Sequence, residues 1–172
     1  METQTLFDLT AADLMTCQVV TIPVEMSVLA AAKILAQAKI GGAPVVDSEG
    51  RCIGVFSTSD LLHRTQLGKW EGHEAPVRVC VCSDWEVVEH EWDTLPAESV
   101  RWYMTGNPVL VRPDTWIGDL ARVMVDAQIH RLIVAGVDGR PTGIVSSTDV
   151  LAALARAGSG SSAKGARRQL PT

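Results

Sequence analysis

A short stretch of glycine, serine and aspartate occurs twice in this chain and brings hydroxyl and carboxylate groups to the predicted start of a helix. It runs from Gly54 to Asp60 as Gly-x-x-Ser-x-x-Asp and returns 89 positions later, from Gly143 to Asp149. Hydroxyls and free backbone N–H groups at a helix N-terminus bind anions such as phosphate. A simpler function is to cap the helix, with each aspartate favouring its positive end. The hydroxyl-bearing residues are Ser57 and Ser59 in the first copy and Ser146 and Thr148 in the second.

The two motifs are the ends of a longer internal repeat. At the same offset, Met15-Thr16 corresponds to Met104-Thr105, and Ala38-Lys39-Ile40 corresponds to Ala127-Gln128-Ile129. A repeat of this kind determines the architecture before any single residue is interpreted. It predicts two halves that pack face to face with pseudo-twofold symmetry and two equivalent clefts suited to binding a ligand.

Hydrophobic periodicity predicts a β-α-β-β-α order in each half. The first half begins with a strand at 19–22, and apolar residues then recur at i, i+3, i+4 and i+7 behind the helix cap Ser27. Gly41-Gly42 is expected to end this helix, and a strand pair follows at 43–46 and 52–56. Helices packed on small sheets give an α+β fold.

The second half repeats this order. Strands are predicted at 109–111, 132–134 and 143–145, and Thr115 is expected to cap the helix between the first two. The last helix is expected to begin at Thr148 and end near residue 157.

These features closely resemble the cystathionine-β-synthase (CBS) domain, and the tandem resembles a Bateman module. The markers are Met-Thr before the first strand, the apolar helix, the short strand pair and Gly-x-x-Ser-x-x-Asp, each present twice. The resemblance implies repeats at 10–67 and 99–157, separated by an inserted segment at 68–98. The glycine- and serine-rich composition after the second repeat predicts a flexible tail at 158–172. Members of this family typically bind adenine-containing ligands in clefts between paired repeats and regulate a partner. They are not usually catalysts.

The resemblance also implies roles for particular residues. Asp60 and Asp149 take the position of the family's ribose-binding aspartate, where a carboxylate accepts hydrogen bonds from two adjacent hydroxyls. His130-Arg131 take a position at which several nucleotide-sensing members contact phosphates, whereas the first half has Gly41-Gly42 there. The alternative for His130-Arg131 is a solvated helix end that complements the helix dipole. Apolar walls for an adenine ring are expected from Val20, Thr21, Ala43 and Pro44 in one cleft, and from Val109, Leu110, Leu132 and Ile133 in the other.

The expected ligand is AMP, ADP, ATP or S-adenosylmethionine, bound as a regulatory ligand with no required cofactor. Because modules of this family commonly form disc-like dimers, we expect a homodimer and an unidentified regulated protein partner. One rival interpretation is a structural or interaction module with degenerate clefts, which Gly41-Gly42 favours for the first cleft.

Composition narrows the class of protein further. The net charge of −5 argues against a general nucleic-acid binder, and no apolar run reaches the roughly 18 residues of a membrane span. The start of the sequence lacks a signal peptide and the four cysteines show no disulfide framework, so a cytoplasmic protein is expected. An enzyme is not expected, since no nucleophile–base constellation, Walker loop or metal-binding helix motif occurs.

The inserted segment 68–98 belongs to neither repeat. Alternating valines at 77–81 predict a strand and, with the turn after it, a β-hairpin. A second rival interpretation is a metal or redox sensor through Cys80 and Cys82, although Cys-x-Cys is a poor zinc signature. Cys17 and Cys52 are expected to be small buried residues beside strands.

Overall fold

The computed structural model of the chain describes residues 5–60 and 97–161, which form helices and two separate sheets. The helices are α1 (Ala11–Leu14), α2 (Val28–Ala38), α3 (Ile117–Asp126) and α4 (Ser147–Ser161), and residues 58–60 begin a further helix. The strands are β1 (Ile22–Pro23), β2 (Gly42–Val46), β3 (Cys52–Ser57), β4 (Thr105–Gly106), β5 (Leu110–Val111), β6 (Arg131–Ala135) and β7 (Pro141–Ser146). The α+β class predicted from the sequence is confirmed.

The described residues divide into two compact units. The four-stranded unit contains residues 18–60, 97–109 and 137–141, and the three-stranded unit contains residues 5–17, 110–136 and 142–161. The beginning of each repeat with the few residues before it, which we call a lead-in segment (residues 5–17 and 97–109), packs in the unit of the other repeat. Residues 97–109 supply strand β4 to the sheet of the first repeat, and residues 5–17 reach the sheet of the second repeat through a bridge between Thr16 and Ile144.

In the four-stranded unit, the strand order is β1-β2-β3-β4, with β1 parallel to β2 and the other pairs antiparallel. The predicted stripe of α2 is confirmed, because the side chains at i, i+3, i+4 and i+7 are all buried in the core. Phe56 is the largest fully buried side chain of the described residues. Burial of one such side chain stabilises a fold by about 1.5–3 kcal/mol.

The three-stranded unit has the order β5-β6-β7, with β5 parallel to β6. Ile117, Leu120 and Met124 of α3 are buried, and Ala11 of the lead-in segment is fully buried in the same unit. As in the first unit, the apolar stripe of one helix lies in the core beside the sheet.

Each lead-in segment places a methionine against the glycine of the repeated motif. A Cβ added at Gly54 would lie 2.7 Å from Met104 Sδ and 2.9 Å from the carbonyl oxygen of Thr105. A Cβ added at Gly143 would lie 2.7 Å from Met15 Cγ. At Gly54 this approach favours glycine because a Cβ would meet a backbone oxygen, whereas at Gly143 a Cβ would meet only the Met15 side chain, which would have to shift.

Two boundaries of the first repeat differ from the sequence prediction. The strand predicted at 19–22 is only Ile22–Pro23. Pro23 is tolerated because β1 is an edge strand, where a missing N–H donor breaks no ladder bond. Helix α2 ends at Ala38, before Gly41-Gly42, because Lys39 adopts the left-handed conformation (φ 54°) and its N–H bonds the carbonyls of the last turn.

The second repeat differs in its helix ends. Thr115 does not cap α3, since the N-cap is Trp116 and the Thr115 hydroxyl instead accepts a hydrogen bond from the Arg112 N–H (3.1 Å). Helix α4 continues to Ser161, so the first residues of the predicted flexible tail are helical. Cys17 is exposed rather than buried. Cys52 is buried as predicted, and this burial raises the pKa of its thiol.

Several predictions lie outside the described residues. They concern the end of the helix that begins at residue 58, the hairpin with Cys80 and Cys82, and the tail after residue 161. The pseudo-twofold packing and the repeat boundaries stay predictions. Within the described ranges, no helix has the length and apolar character to cross a bilayer.

Candidate functional site

The repeated motif forms the same strand-to-helix junction in both units. The Ser57 N–H and hydroxyl both donate to Asp60 Oδ2 at 2.7 Å. The Ser146 N–H and hydroxyl donate to Asp149 Oδ2 at 2.7 and 2.6 Å. Hydrogen bonds to an ionised acceptor are the stronger kind. Each serine therefore holds one carboxylate oxygen at the end of a strand.

Capping and ligand binding are compatible functions for these residues. Ser146 also accepts a hydrogen bond from the Asp149 N–H (3.3 Å), which completes a reciprocal cap at the start of α4. The cap uses only Oδ2 of Asp149. The other oxygen, Oδ1, is left for a further donor.

The two aspartates differ at this second oxygen. Asp60 Oδ1 accepts a hydrogen bond from the Thr105 hydroxyl at 3.0 Å. Asp149 Oδ1 accepts none from any residue in 5–60 or 97–161. Both aspartates are partly exposed. Asp149 thus presents a held carboxylate with one oxygen available.

His130, which directly precedes Arg131, is anchored to the start of α4 through its backbone carbonyl. The His130 carbonyl accepts a hydrogen bond from the Ser147 N–H at 2.9 Å. The same bond in the other unit joins the Thr58 N–H to the Gly41 carbonyl at 3.0 Å. Both side chains of the His-Arg pair are exposed, and Arg131 forms no ion pair with the described residues. The second site therefore carries a cation where the first has only glycine.

The other predicted hydroxyls lie in the first turn of each helix. Ser59 and Thr148 are both exposed, and neither side chain makes a hydrogen bond within the part of the chain that the structure describes. Their hydroxyls are therefore accessible to a ligand at the helix N-terminus.

The residues predicted as apolar walls fall into two groups. Ala43, Pro44, Leu132 and Ile133 are buried within the units. Val20 and Thr21 are partly buried, whereas Val109 and Leu110 are 40% and 38% exposed. The second group alone offers surface to a ring, and a wall formed by these residues stays a prediction.

Thr105 was not predicted as a site residue from the sequence. Its side chain reaches Asp60 because β4 pairs with β3, where Thr105 lies opposite Val55. The signal was the repeated Met-Thr, which placed Thr16 and Thr105 at equivalent positions without showing which strand each would join.

Comparison with known proteins identifies the family. The CBS domain matches at residues 11–66 and 97–156. An uncharacterized protein of Methanocaldococcus jannaschii, MJ1426, is 32% identical over 126 residues, which cover 67% of this chain and 74% of that protein. The chloroplastic CBS domain-containing protein CBSX2 of Arabidopsis thaliana is 29% identical over 127 residues. These cover 72% of this chain but 53% of CBSX2, so the chain spans about half the length of that relative.

Solved structures agree with the sequence comparison. The crystal structure of CBSX2 in complex with AMP has a TM-score of 0.63 and 27% identity, covering 86% of this chain and 96% of that one. The cytosolic domain of the Mg²⁺ channel MgtE, crystallised with ATP, has a TM-score of 0.61 and 29% identity, covering 83% of this chain and 48% of that one. The chain therefore belongs to the CBS domain family and carries two copies of the domain in tandem, as a Bateman module.

Proposed function

We propose that this chain is a regulatory module that binds an adenine nucleotide beside Asp149 and transmits its occupancy to a protein partner. One observation carries the proposal. Ser146 holds Oδ2 of Asp149, while Oδ1 accepts no bond from the described residues. Such a carboxylate is fixed in place and still has an acceptor for the two hydroxyls of a ribose.

The neighbouring groups suit the rest of a nucleotide. Arg131 supplies a planar guanidinium that binds phosphate oxygens in pairs, and His130 supplies a ring N–H. The start of α4 adds backbone donors and a partial positive charge. Leu110 offers exposed apolar surface for the base.

The relatives support the choice of ligand. CBSX2 was crystallised with AMP and the cytosolic domain of MgtE with ATP. Both are more than 25% identical to this chain. We therefore propose a ligand of the same adenine-containing class for the Asp149 site.

Regulation follows if the ligand binds two arrangements of the protein with different affinity. A ligand shifts an equilibrium only by its differential affinity for the two states. A homodimer and a regulated protein partner are part of the proposal. No catalytic role is proposed, and a structural module without ligand is the rival that the next experiment addresses.

The test is a calorimetric titration with AMP, ADP, ATP, adenosine and S-adenosylmethionine, in the wild type and in Asp149→Asn. The asparagine keeps a carbonyl oxygen for the Ser146 donors but replaces the other oxygen with an NH₂ group, which cannot accept from ribose. We expect at least one adenine ligand to bind and Asp149→Asn to weaken it at least tenfold without loss of fold.

Asp138→Asn is the matched control, because Asp138 lies in a surface turn and contacts Arg140. This control should bind the nucleotide as the wild type does. Absence of binding by all five compounds would favour a module with degenerate sites. Equal affinity of the wild type and Asp149→Asn would remove Asp149 from the site.

A further inference from the structure

Thr16 and Thr105 are equivalent residues in equivalent places. Each follows a methionine of a lead-in segment, and each pairs with a strand of the repeated motif. Thr105 lies opposite Val55 of β3, and Thr16 forms a bridge with Ile144 of β7. The backbone pattern is therefore the same in both units.

Their hydroxyl groups behave differently. The Thr105 hydroxyl donates to Asp60 Oδ1 at 3.0 Å. The Thr16 hydroxyl makes no such bond to Asp149 within the described ranges, although Thr16 joins the adjacent strand through two backbone hydrogen bonds of 2.9 and 3.1 Å to Ile144. The difference thus lies in the side chains and not in the strand pairing.

The number of lone-pair sites left on each aspartate determines whether a ribose can donate two hydrogen bonds to it. A carboxylate offers about four lone-pair sites, two on each oxygen. At Asp149 both donors from Ser146 fall on Oδ2, so the whole of Oδ1 remains for two ribose hydroxyls. At Asp60 the donors from Ser57 fill Oδ2 and Thr105 takes one place on Oδ1. A ribose that donates twice to Asp60 must displace Thr105.

We propose that Thr105 closes the first site, so that this chain binds one nucleotide, beside Asp149, while Asp60 is held by the lead-in segment of the second repeat. This inference rests on the proposed function, which it extends to stoichiometry and to a residue that sets it. Thr105 acts as an internal competitor for the sugar-binding oxygen.

A second difference acts in the same direction. The closed site has Gly41-Gly42 where the open site has His130-Arg131. Glycine offers a phosphate only backbone groups, so a nucleotide at the first site lacks a charged anchor with which to displace Thr105. The second site has an available carboxylate oxygen and a cation together.

The binding test is a titration with AMP in which the stoichiometry is measured. The wild type should bind one AMP per chain. Thr105→Val removes the hydroxyl while keeping the shape of the side chain, and it should add a second site or tighten a weak one at least tenfold. Thr105→Ser restores a hydroxyl and should return the chain to one AMP. Thr16→Val should leave the stoichiometry at one.

A rescue experiment assigns the new site. Asp149→Asn alone should weaken the single site at least tenfold, and Asp149→Asn with Thr105→Val should bind one AMP again, now beside Asp60. Two equal sites in the wild type, or no gain in either Thr105→Val variant, would overturn the inference and leave the proposed function standing.

A ligand-independent measurement separates the two proposals. In thermal unfolding, the midpoint shifts of Thr105→Val and Asp60→Ala should be non-additive by roughly 2–4 °C, the shift expected for one such hydrogen bond in a chain of this size. Thr16→Val and Asp149→Ala should be additive. Additive shifts for the first pair would overturn the closed site whatever the titrations show. If neither the wild type nor Thr105→Val binds any adenine ligand, both proposals fail.

Discussion

The four-stranded and three-stranded units share a skeleton but differ in the polar groups placed on it. Both have a buried helix stripe, a motif glycine under a methionine and a serine that holds an aspartate. They differ in whether a threonine hydroxyl donates to Oδ1 of the aspartate. They also differ in the residues that follow the first long helix and in the N-cap of that helix. The motif residues are the same in both repeats, whereas Gly41-Gly42 and Ser27 of the first repeat are replaced by His130-Arg131 and Trp116 in the second.

The largest effect is expected at the shared glycines. Gly54→Ala should lower the free energy of unfolding by about 1–3 kcal/mol, the usual cost of overpacking, because its Cβ meets the Thr105 carbonyl oxygen as well as Met104. Gly143→Ala should cost less, since its three nearest atoms all belong to the Met15 side chain. Urea unfolding measures both variants.

Gly118→Ala is the matched control for this pair. Gly118 lies in α3 and a Cβ there would meet nothing within 4 Å, so alanine should stabilise the chain by up to about 1 kcal/mol through helix propensity. A Gly54→Ala variant as stable as the wild type would show that the lead-in segment does not pack on the motif.

Arg131 is predicted to bind the phosphate of the nucleotide, whereas the first site has only Gly41-Gly42 at this place. Arg131→Ala should weaken the binding of AMP or ATP about tenfold, or about 1.4 kcal/mol. The affinity for adenosine should change little, because adenosine has no phosphate. Arg122→Ala is the control, since Arg122 is an exposed cation of α3 that pairs with Asp119. Equal losses for AMP and adenosine would assign Arg131 a structural role.

The helix caps give a smaller difference. Ser27 accepts a hydrogen bond from the Ala30 N–H (3.2 Å) at the start of α2, whereas Trp116 at the same place in α3 provides no side-chain cap. Ser27→Ala should destabilise by about 1 kcal/mol. Trp116→Ser should be more stable than Trp116→Ala by a similar amount, measured by thermal unfolding. Equal stability of the two Trp116 variants would mean that α3 gains nothing from a cap.

The smallest predicted effect is a pH dependence that only one lead-in segment has. The Thr10 backbone N–H and then its hydroxyl, both 2.8 Å from Asp13 Oδ2, lower the pKa of that carboxyl. The equivalent pair in the other lead-in segment is Ser99 and Trp102, which has no acid.

Because the pKa of Asp13 is lower in the folded state, its stabilisation is complete above the ordinary aspartate value of about 3.9 and is lost as the pH falls through the folded pKa. The side chain is exposed to solvent, so the effect should stay well below about 1 kcal/mol. Thermal midpoints from pH 6 to pH 2 should therefore fall slightly more steeply for the wild type than for Asp13→Asn. Parallel curves would contradict this.

Local pattern was enough to predict much of the fold. The buried stripe of α2 follows from the spacing of its apolar residues, and the β2–β3 and β6–β7 pairs follow from short apolar runs around a turn glycine. Ser27 was predicted as a cap because serine at that position has a short-range hydrogen-bond partner. In each case the partners are close in sequence.

Features that depend on distant partners were missed. Nothing local shows that the Met-Thr of one lead-in segment joins the sheet of the other repeat, so Thr105 was not expected at Asp60.

The end of α2 was predicted wrongly for a local reason, because Lys39 adopts the left-handed conformation that is usually assigned to glycine at a helix end.

The most direct test of the central claim is a crystal structure of the chain with bound AMP. We predict that the ribose hydroxyls lie within about 2.5–3.2 Å of Asp149 Oδ1, while the Thr105 hydroxyl still donates a hydrogen bond to Asp60. A ribose bound to Asp60 with Asp149 untouched, or a nucleotide remote from both aspartates, would contradict it.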